Sequence, residues 1–262
     1  MPDNAAPAIK TVERALSLLD CFSQQEPELS IGELARRLGV HKSMVSRLVS
    51  TLKTRRLVEQ DPVTRNVFIG GGALRLGSLY LQRIPLQAVA APFVAELVNR
   101  THHSAHLAVR DGLRFLIVHS VESPAAVRVI LRTGEERYLH ATAGGKLFLA
   151  FSQQAYRDTL ELVGMPSLTG RTITSRAKLD AELETIRRTG IAWNLEESHN
   201  GVGAVAAPVM DERGEVLGTI SVVFPLAGVN AAARAALGNE VKASAAAITA
   251  AMIGKPQRRK SA

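Results

Sequence analysis

Apolar residues recur at Val12, Ala15, Leu16, Leu19 and Phe22, the i, i+3, i+4, i+7 spacing of an amphipathic helix, and predict one over Ala8–Phe22. Pro27 breaks the pattern. Ser30 then stands three residues before Glu33, with Ile31, Leu34, Ala35 and Leu38 on one stripe, which reads as a capping box opening a second helix. Gly39 supplies a turn. Val45, Leu48, Val49 and Leu52 predict the inward face of a third helix over Lys42–Arg55. The period then shortens. Leu57–Gln60 and Val67–Ile69 read as strands joined by Asp61-Pro62-Val63-Thr64-Arg65-Asn66, a run of turn-forming residues. Two short helices across a glycine turn, followed by a strand pair, predict a winged helix-turn-helix.

Gly70-Gly71-Gly72 marks a boundary, and a linker helix is expected over Ala73–Arg83. Its Leu74, Leu76, Leu79, Tyr80 and Leu81 cover more than one face, which points to a partner chain as well as its own domain. Pro85 is expected to end it, and a further helix to run over Leu86–Arg100. Strands are predicted at Ala105–Arg110 and Arg114–Val121 around the hairpin dipeptide Asp111-Gly112, then at Val127–Leu131, Gly203–Met210 and Val216–Phe224. Helices are predicted at Gly144–Leu149, Gln153–Leu162, Arg176–Thr189 and Asn230–Ile253. The whole is α+β: a DNA-binding domain over residues 8–70, a linker helix over 71–85, and a larger domain over 86–254 with one sheet flanked by helices.

Charge sharpens the reading of the first domain. The 262-residue chain carries a formal net charge of +8. Between Glu33 and Glu59 there is no acidic residue, yet Arg36, Arg37, Lys42, Arg47, Lys53, Arg55 and Arg56 all fall there. An ordinary solvated face mixes signs, so this run points to a polyanion. The outward face of the third helix carries Lys42, Ser43, Ser46, Arg47, Ser50 and Lys53, cations and hydroxyls suited to base edges and phosphates in a major groove. Arg55, Arg56 and, at the wing tip, Arg65 are placed to neutralise phosphates. The basic tail Lys255–Lys260 is read as a solvated terminus. No apolar run approaches the ~20 residues of a membrane span. The N-terminus lacks a signal-peptide layout, and the single cysteine, Cys21, fits a reducing compartment; a cytoplasmic location is expected.

Several stretches together resemble the IclR family of bacterial regulators, from near Thr11 to near Ile253. They are Glu13-Arg14-Ala15-Leu16, Ile31-Gly32-Glu33-Leu34-Ala35, His41-Lys42-Ser43-Met44-Val45-Ser46-Arg47-Leu48, Leu139-His140-Ala141-Thr142-Ala143-Gly144-Gly145-Lys146 and Gly203-Ala204-Val205-Ala206-Ala207-Pro208-Val209. The resemblance implies a winged-helix domain and a GAF-like effector-binding domain with a central antiparallel sheet. It also implies homodimers or homotetramers on pseudo-palindromic operators, and a small organic acid as effector. In such relatives the loop matching Ala143-Gly144 offers backbone N–H groups to a carboxylate, and positions matching Asn194, Val202, Ala204, Ser221 and Val223 line the pocket. Relatives that bind small polar acids tend to carry an acidic residue, a cysteine and a second hydroxyl where this chain has Asn194, Ala204 and Val223. A less polar pocket and a larger or aromatic carboxylate follow, with Trp193 and Phe224 near enough in sequence to contribute. His140 beside the loop either contacts the ligand or fixes the loop by a hydrogen bond.

Other candidate chemistry is weaker. Gly201-Val202-Gly203-Ala204-Val205-Ala206 matches a dinucleotide fingerprint, but Pro208 and the strand pattern around it deny the helix that fingerprint needs. His102, His103 and His106 cluster, and a helix would set His102 and His106 on one side for a metal. The segment reads instead as a helix end entering a strand. No nucleophile elbow or paired acidic motif stands in convincing context, so an enzyme and a cofactor are not expected. The competing readings are a metal-dependent enzyme built on the three histidines, and a constitutive DNA-binding dimer with no ligand.

Overall fold

The computed structural model describes residues 9–23, 25–152 and 164–253. The helix predicted over Gln153–Leu162 and the basic tail lie outside them. The chain divides between Arg83 and Ile84 into two compact units, so the linker helix belongs with the first.

In the first unit, α1 (Lys10–Leu19), β1 (Glu28–Leu29), α2 (Ile31–Leu38) and α3 (Lys42–Thr54) precede β2 (Val58–Gln60), β3 (Val67–Ile69) and α4 (Gly71–Leu81). The strands form a small antiparallel sheet in the order β1-β3-β2. Ser30 caps α2: its Oγ accepts from the Glu33 amide at 3.2 Å, and its own amide donates to Glu33 Oε2 at 2.9 Å. Gly39, at φ 64°, makes the left-handed turn into α3. Leu18, Leu34, Val45, Leu48, Val49, Leu52, Val58 and Val67 form one core. Leu18, outside the predicted stripe of α1, is fully buried, while Val12 and Leu16 face solvent. The helix thus has two apolar stripes, and Leu18, Ala15, Leu19 and Phe22 make the inner one. Gly72 cannot be replaced by a larger residue without disturbing the backbone. A Cβ there would sit 2.5 Å from the Arg55 carbonyl, because its amide donates to the Arg56 carbonyl at 2.7 Å.

The second unit holds α5 (Pro85–Thr101), β4 (Ser104–Asp111), β5 (Arg114–Val121), β6 (Glu136–Tyr138), α6 (Ala143–Phe151), α7 (Arg176–Thr189), β7 (Ala192–Leu195), β8 (Val202–Met210), β9 (Val216–Pro225) and α8 (Ala231–Ile253). Pro85 opens α5 rather than ending α4, as the first helical position tolerates it. One antiparallel sheet runs β6-β5-β4-β9-β8-β7. Alternation along β9 assigns its faces. Thr219 and Ser221 meet α6, whereas a Cβ on Gly218 would meet Leu86 of α5 at 2.6 Å. With helices on both faces, the central strands are buried along nearly their whole length. Val127–Leu131 is not a strand. The Ser104 and Ser120 hydroxyls donate to the carbonyls of Val129 (2.6 Å) and Leu131 (2.5 Å), and β6 takes the outer edge of β5 instead.

Candidate functional site

Two sites emerge, one in each unit. In the first, four inward residues of α3 set its rotation, so Lys42, Ser43, Ser46, Arg47, Ser50 and Lys53 face outward and all are exposed. Arg55 and Arg56 follow at the helix end, exposed, with Arg56 held at φ 56°. Arg65 tops the strand connection at φ 61°. That tip is built locally: Asp61 Oδ1 accepts from the amides of Val63 (2.8 Å) and Thr64 (2.6 Å), and Gln60 Nε2 donates to the Arg65 carbonyl at 2.8 Å. A groove between α3 and this wing is lined by Lys42, Ser46, Ser50, Lys53, Gln60 and Arg65. On the other flank of α3, Arg14, Arg36 and His41 join Ser43 and Arg47, and these three were not singled out from the sequence as contact residues. None of the cations at positions 42, 47, 53, 55, 56 and 65 forms an ion pair among the described residues, although Arg37 does, with Glu26.

In the second unit, a cavity of about 140 Å³ opens at the N-terminus of α6. Thr142 caps that helix, accepting from the Gly145 amide at 3.2 Å and donating to the Tyr138 carbonyl at 2.9 Å. The helix end is pressed onto its surroundings. A Cβ on Gly145 would stand 2.3 Å from the Leu139 carbonyl oxygen, and one on Gly144 would stand 2.7 Å from Thr219 Oγ1. Ala143, Gly144, Asn194, Val202, Ala204, Ser221 and Val223, distant in sequence, all line the cavity. Phe115, Val129 and Leu131 extend its apolar wall, and Arg137, Ser198 and His106 add polar groups. Ile130 and His199, both exposed, stand at the rim.

The polar groups are not equivalent. Asn194 is 2 % exposed and committed to the fold: its Nδ2 donates to the Ala141 carbonyl (2.9 Å) and Ser198 Oγ (3.0 Å), and its Oδ1 accepts from the Glu197 amide (2.9 Å). Glu197 in turn meets Lys146 Nζ at 2.7 Å, and Glu182 meets it at 2.9 Å, so a fully buried lysine ties α6 to the segment after β7 and to α7. Burial pushes the Glu197 carboxyl up despite that lysine. Arg137 is paired with Glu135. His106 and Ser221 each hold a buried polar atom, Nδ1 and Oγ, with no hydrogen-bond partner among the described residues. Burial pushes the His106 pKa down to about 3, with the Arg137 charge contributing, so the ring is neutral.

Other expectations are placed elsewhere. His140 does not line the cavity; it lies buried behind the loop, with Nε2 3.2 Å from the Pro166 carbonyl oxygen and its ring edge-on to Tyr138. Trp193 packs by Gly238 of α8 and Phe224 against Gly203 and His103, so neither contributes to the wall. The histidines cannot share a helix face, since α5 ends at Thr101, His102 turns left-handed at φ 55° and His106 lies within β4. Among the described residues no group of three His, Cys, Asp or Glu side chains could hold a metal ion.

The sequence pattern described as the IclR helix-turn-helix domain matches residues 11–62, and that described as bacterial transcriptional regulator IclR C-terminal matches residues 78–250. The chain belongs to the IclR family. It is 34% identical over 218 residues to a glycerol operon regulatory protein of Streptomyces griseus, across 83% of this chain and 85% of that one. Solved structures share its fold. An IclR transcriptional regulator from Alicyclobacillus acidocaldarius superposes with a TM-score of 0.80 at 24% identity, covering 93% of this chain and 99% of that one. An IclR homologue from Microbacterium hydrocarbonoxydans, complexed with 4-hydroxybenzoate, does so with a TM-score of 0.79 at 21% identity, covering 92% and 98%. This IclR-family chain is therefore a transcription regulator with a DNA-binding helix-turn-helix and an effector-binding domain, and not an enzyme. No helix among the described residues is long and apolar enough to cross a membrane.

Proposed function

We propose that this regulator inserts α3 into the major groove of operator DNA, with Arg55, Arg56 and Arg65 on phosphates, and that a small carboxylate bound in the α6 cavity controls it. The observation that carries the effector half is the cavity itself. Backbone amides at a helix N-terminus favour an anion, and Ala143 and Gly144 leave room for it to approach. Most of the remaining wall is apolar, which suits a ring or hydrocarbon body. A volume of about 140 Å³ compares with the cavity of about 150 Å³ that accepts benzene in another protein. That an IclR homologue from Microbacterium hydrocarbonoxydans was crystallised with 4-hydroxybenzoate supports an aromatic acid as the effector.

Two exposed apolar faces support a homo-oligomer: Ile9, Val12 and Leu16 along α1, and Leu74, Leu76, Leu79 and Tyr80 along α4. Paired heads read pseudo-palindromic half-sites about one helical turn of DNA apart, or a multiple of it. The location that suits such a protein is the cytoplasm. The effector acts by binding the DNA-competent and incompetent states with different affinity.

The test is a thermal-shift screen of the full chain against monocyclic and aliphatic carboxylic acids, followed by titration of the best compound into protein bound to its own promoter DNA. A dose-dependent rise and a change in DNA affinity are expected. No rise with any acid at millimolar concentration would overturn the carboxylate reading and leave a constitutive DNA-binding dimer.

A further inference from the structure

Among the described residues the cavity leaves two polar wall groups without partners, and their positions are related. His106 of β4 and Ser221 of β9 are directly opposite one another in the antiparallel register. Residues so placed have Cβ atoms about 4.5–5.5 Å apart. Both line the cavity; His106 is 4 % exposed and Ser221 1 %. His106 Nδ1 and Ser221 Oγ find no hydrogen-bond partner among the described residues, although buried polar groups in folded proteins nearly always have one. Ser221 Oγ is also 3.6 Å from where a Cβ on Gly144 would stand, so it lies beside the α6 terminus. The polar features therefore follow one another along the wall: helix terminus, Ser221, His106.

Charge limits what they can meet. Arg137, the one permanently cationic side chain among the described residues of the cavity wall, is already paired with Glu135. His106 is neutral, and a neutral imidazole offers one donor and one acceptor rather than a charge. The wall thus suits one negative group, at the helix terminus, and one uncharged hydrogen-bonding group next to it. Asn194, whose amide is spent on Ala141, Ser198 and Glu197, does not supply the second contact.

Resting on the carboxylate reading above, we propose that His106 and Ser221 form a specificity pair that selects a monocarboxylate carrying an uncharged hydroxyl or carbonyl over the same acid without it. A site built to hydrogen-bond a ligand hydroxyl rejects the analogue lacking it more strongly than an apolar pocket rejects a size change, because the wall groups are left unpaired. The parent acid still places its carboxylate at the helix terminus but leaves the imidazole bare.

The experiment is titration calorimetry on the full chain with benzoate and with 2-, 3- and 4-hydroxybenzoate. At least one hydroxybenzoate is expected to bind tenfold or more tightly than benzoate. That advantage should vanish in His106→Phe, shrink in Ser221→Ala, and survive in part in His106→Gln, which keeps a hydrogen-bonding group. Equal binding of benzoate and all three hydroxybenzoates by the wild-type protein overturns the pair while leaving the carboxylate reading intact, and it does so without any variant needing to fold. An advantage that persists in His106→Phe also overturns it. Binding of none of the four acids overturns the pair on an aromatic acid, while the carboxylate reading falls only if the aliphatic acids of the thermal-shift screen fail as well.

Discussion

Arg47 sits exposed in the middle of α3, unpaired, between Ser46 and the groove flank where Ser43 and His41 lie. If it reads a base, Arg47→Ala should cost about 1–3 kcal/mol of operator affinity and relax preference at one base pair. A phosphate contact would instead weaken all sequences alike and lower the salt slope by about one. Fluorescence anisotropy with operator and scrambled DNA separates the two, and unchanged affinity would remove Arg47 from the interface. This face was legible in advance because Val45, Leu48, Val49 and Leu52 dictate a single rotation of the helix. His106 was not. One histidine in a strand declares neither its face nor its neighbour until its register with Ser221 is known. Its burial makes a second prediction. The folded state holds its pKa near 3 while the unfolded chain takes the proton near 6.5. Stability present above pH 6.5 is then lost as pH falls, by roughly 2–3 kcal/mol by pH 4.5. His103, His119, His140 and His199 are lowered too and add in the same direction, whereas raised Glu197 opposes them. Urea denaturation of wild type and His106→Gln at pH 7 and 4.5 isolates the His106 share. The variant should lose less on acidification, and an equal loss would show that the ring protonates without leaving the fold.

Elements were legible where local chemistry agreed with the fold. The Ser30–Glu33 box, Gly39 and the Asp61–Asn66 turn each carry their own hydrogen bonds, so α2, α3 and the wing followed from neighbouring residues alone. Val127–Leu131 has a strand's composition, yet two serines from other strands claim its carbonyls. Glu136–Tyr138 pairs with β5 despite a polar sequence, because the sheet edge selects it. Helix α1 was read with a single apolar stripe where there are two, and the outer one bears on assembly. Leu16 is 57 % exposed and Leu79 of α4 52 %, so neither supports its own unit's core. Leu16→Glu and Leu79→Glu should therefore leave each protomer folded, with the far-ultraviolet spectrum of wild type, while lowering the assembled mass in light scattering toward one chain. Loss of operator binding should accompany it, since one head then holds one half-site. An unchanged mass in both variants would place the interface elsewhere.

At the scale of the whole chain, the cavity was largely legible, and the reason is the resemblance carried by short motifs. Seven wall residues were named from their resemblance to IclR relatives, and they fall on α6, β7, β8 and β9 or immediately beside them. The wall from β4, β5 and β6 was missed, because no short motif marks it. Division at Arg83 and Ile84 leaves each unit with its own buried core, Leu18 to Val67 in one and Ala108 to Val223 in the other. Two cores permit two unfolding transitions, and a ligand stabilises only the part that binds it. The sequence supplies a reporter: its one tryptophan, Trp193, lies on β7 of the second unit. Heating followed by Trp193 fluorescence therefore reads the cavity-bearing unit, while the helical circular dichroism signal reads both. An effector at a hundred times its Kd adds about 2.7 kcal/mol, which for a unit of this size raises the fluorescence transition by about 5–10 °C. The remaining dichroism transition, from the winged helix, should not move. Operator DNA should do the reverse, raising the dichroism transition and leaving the Trp193 transition in place. If effector alone instead shifts both transitions together, the expectation of separate unfolding fails and the two units unfold as one cooperative body.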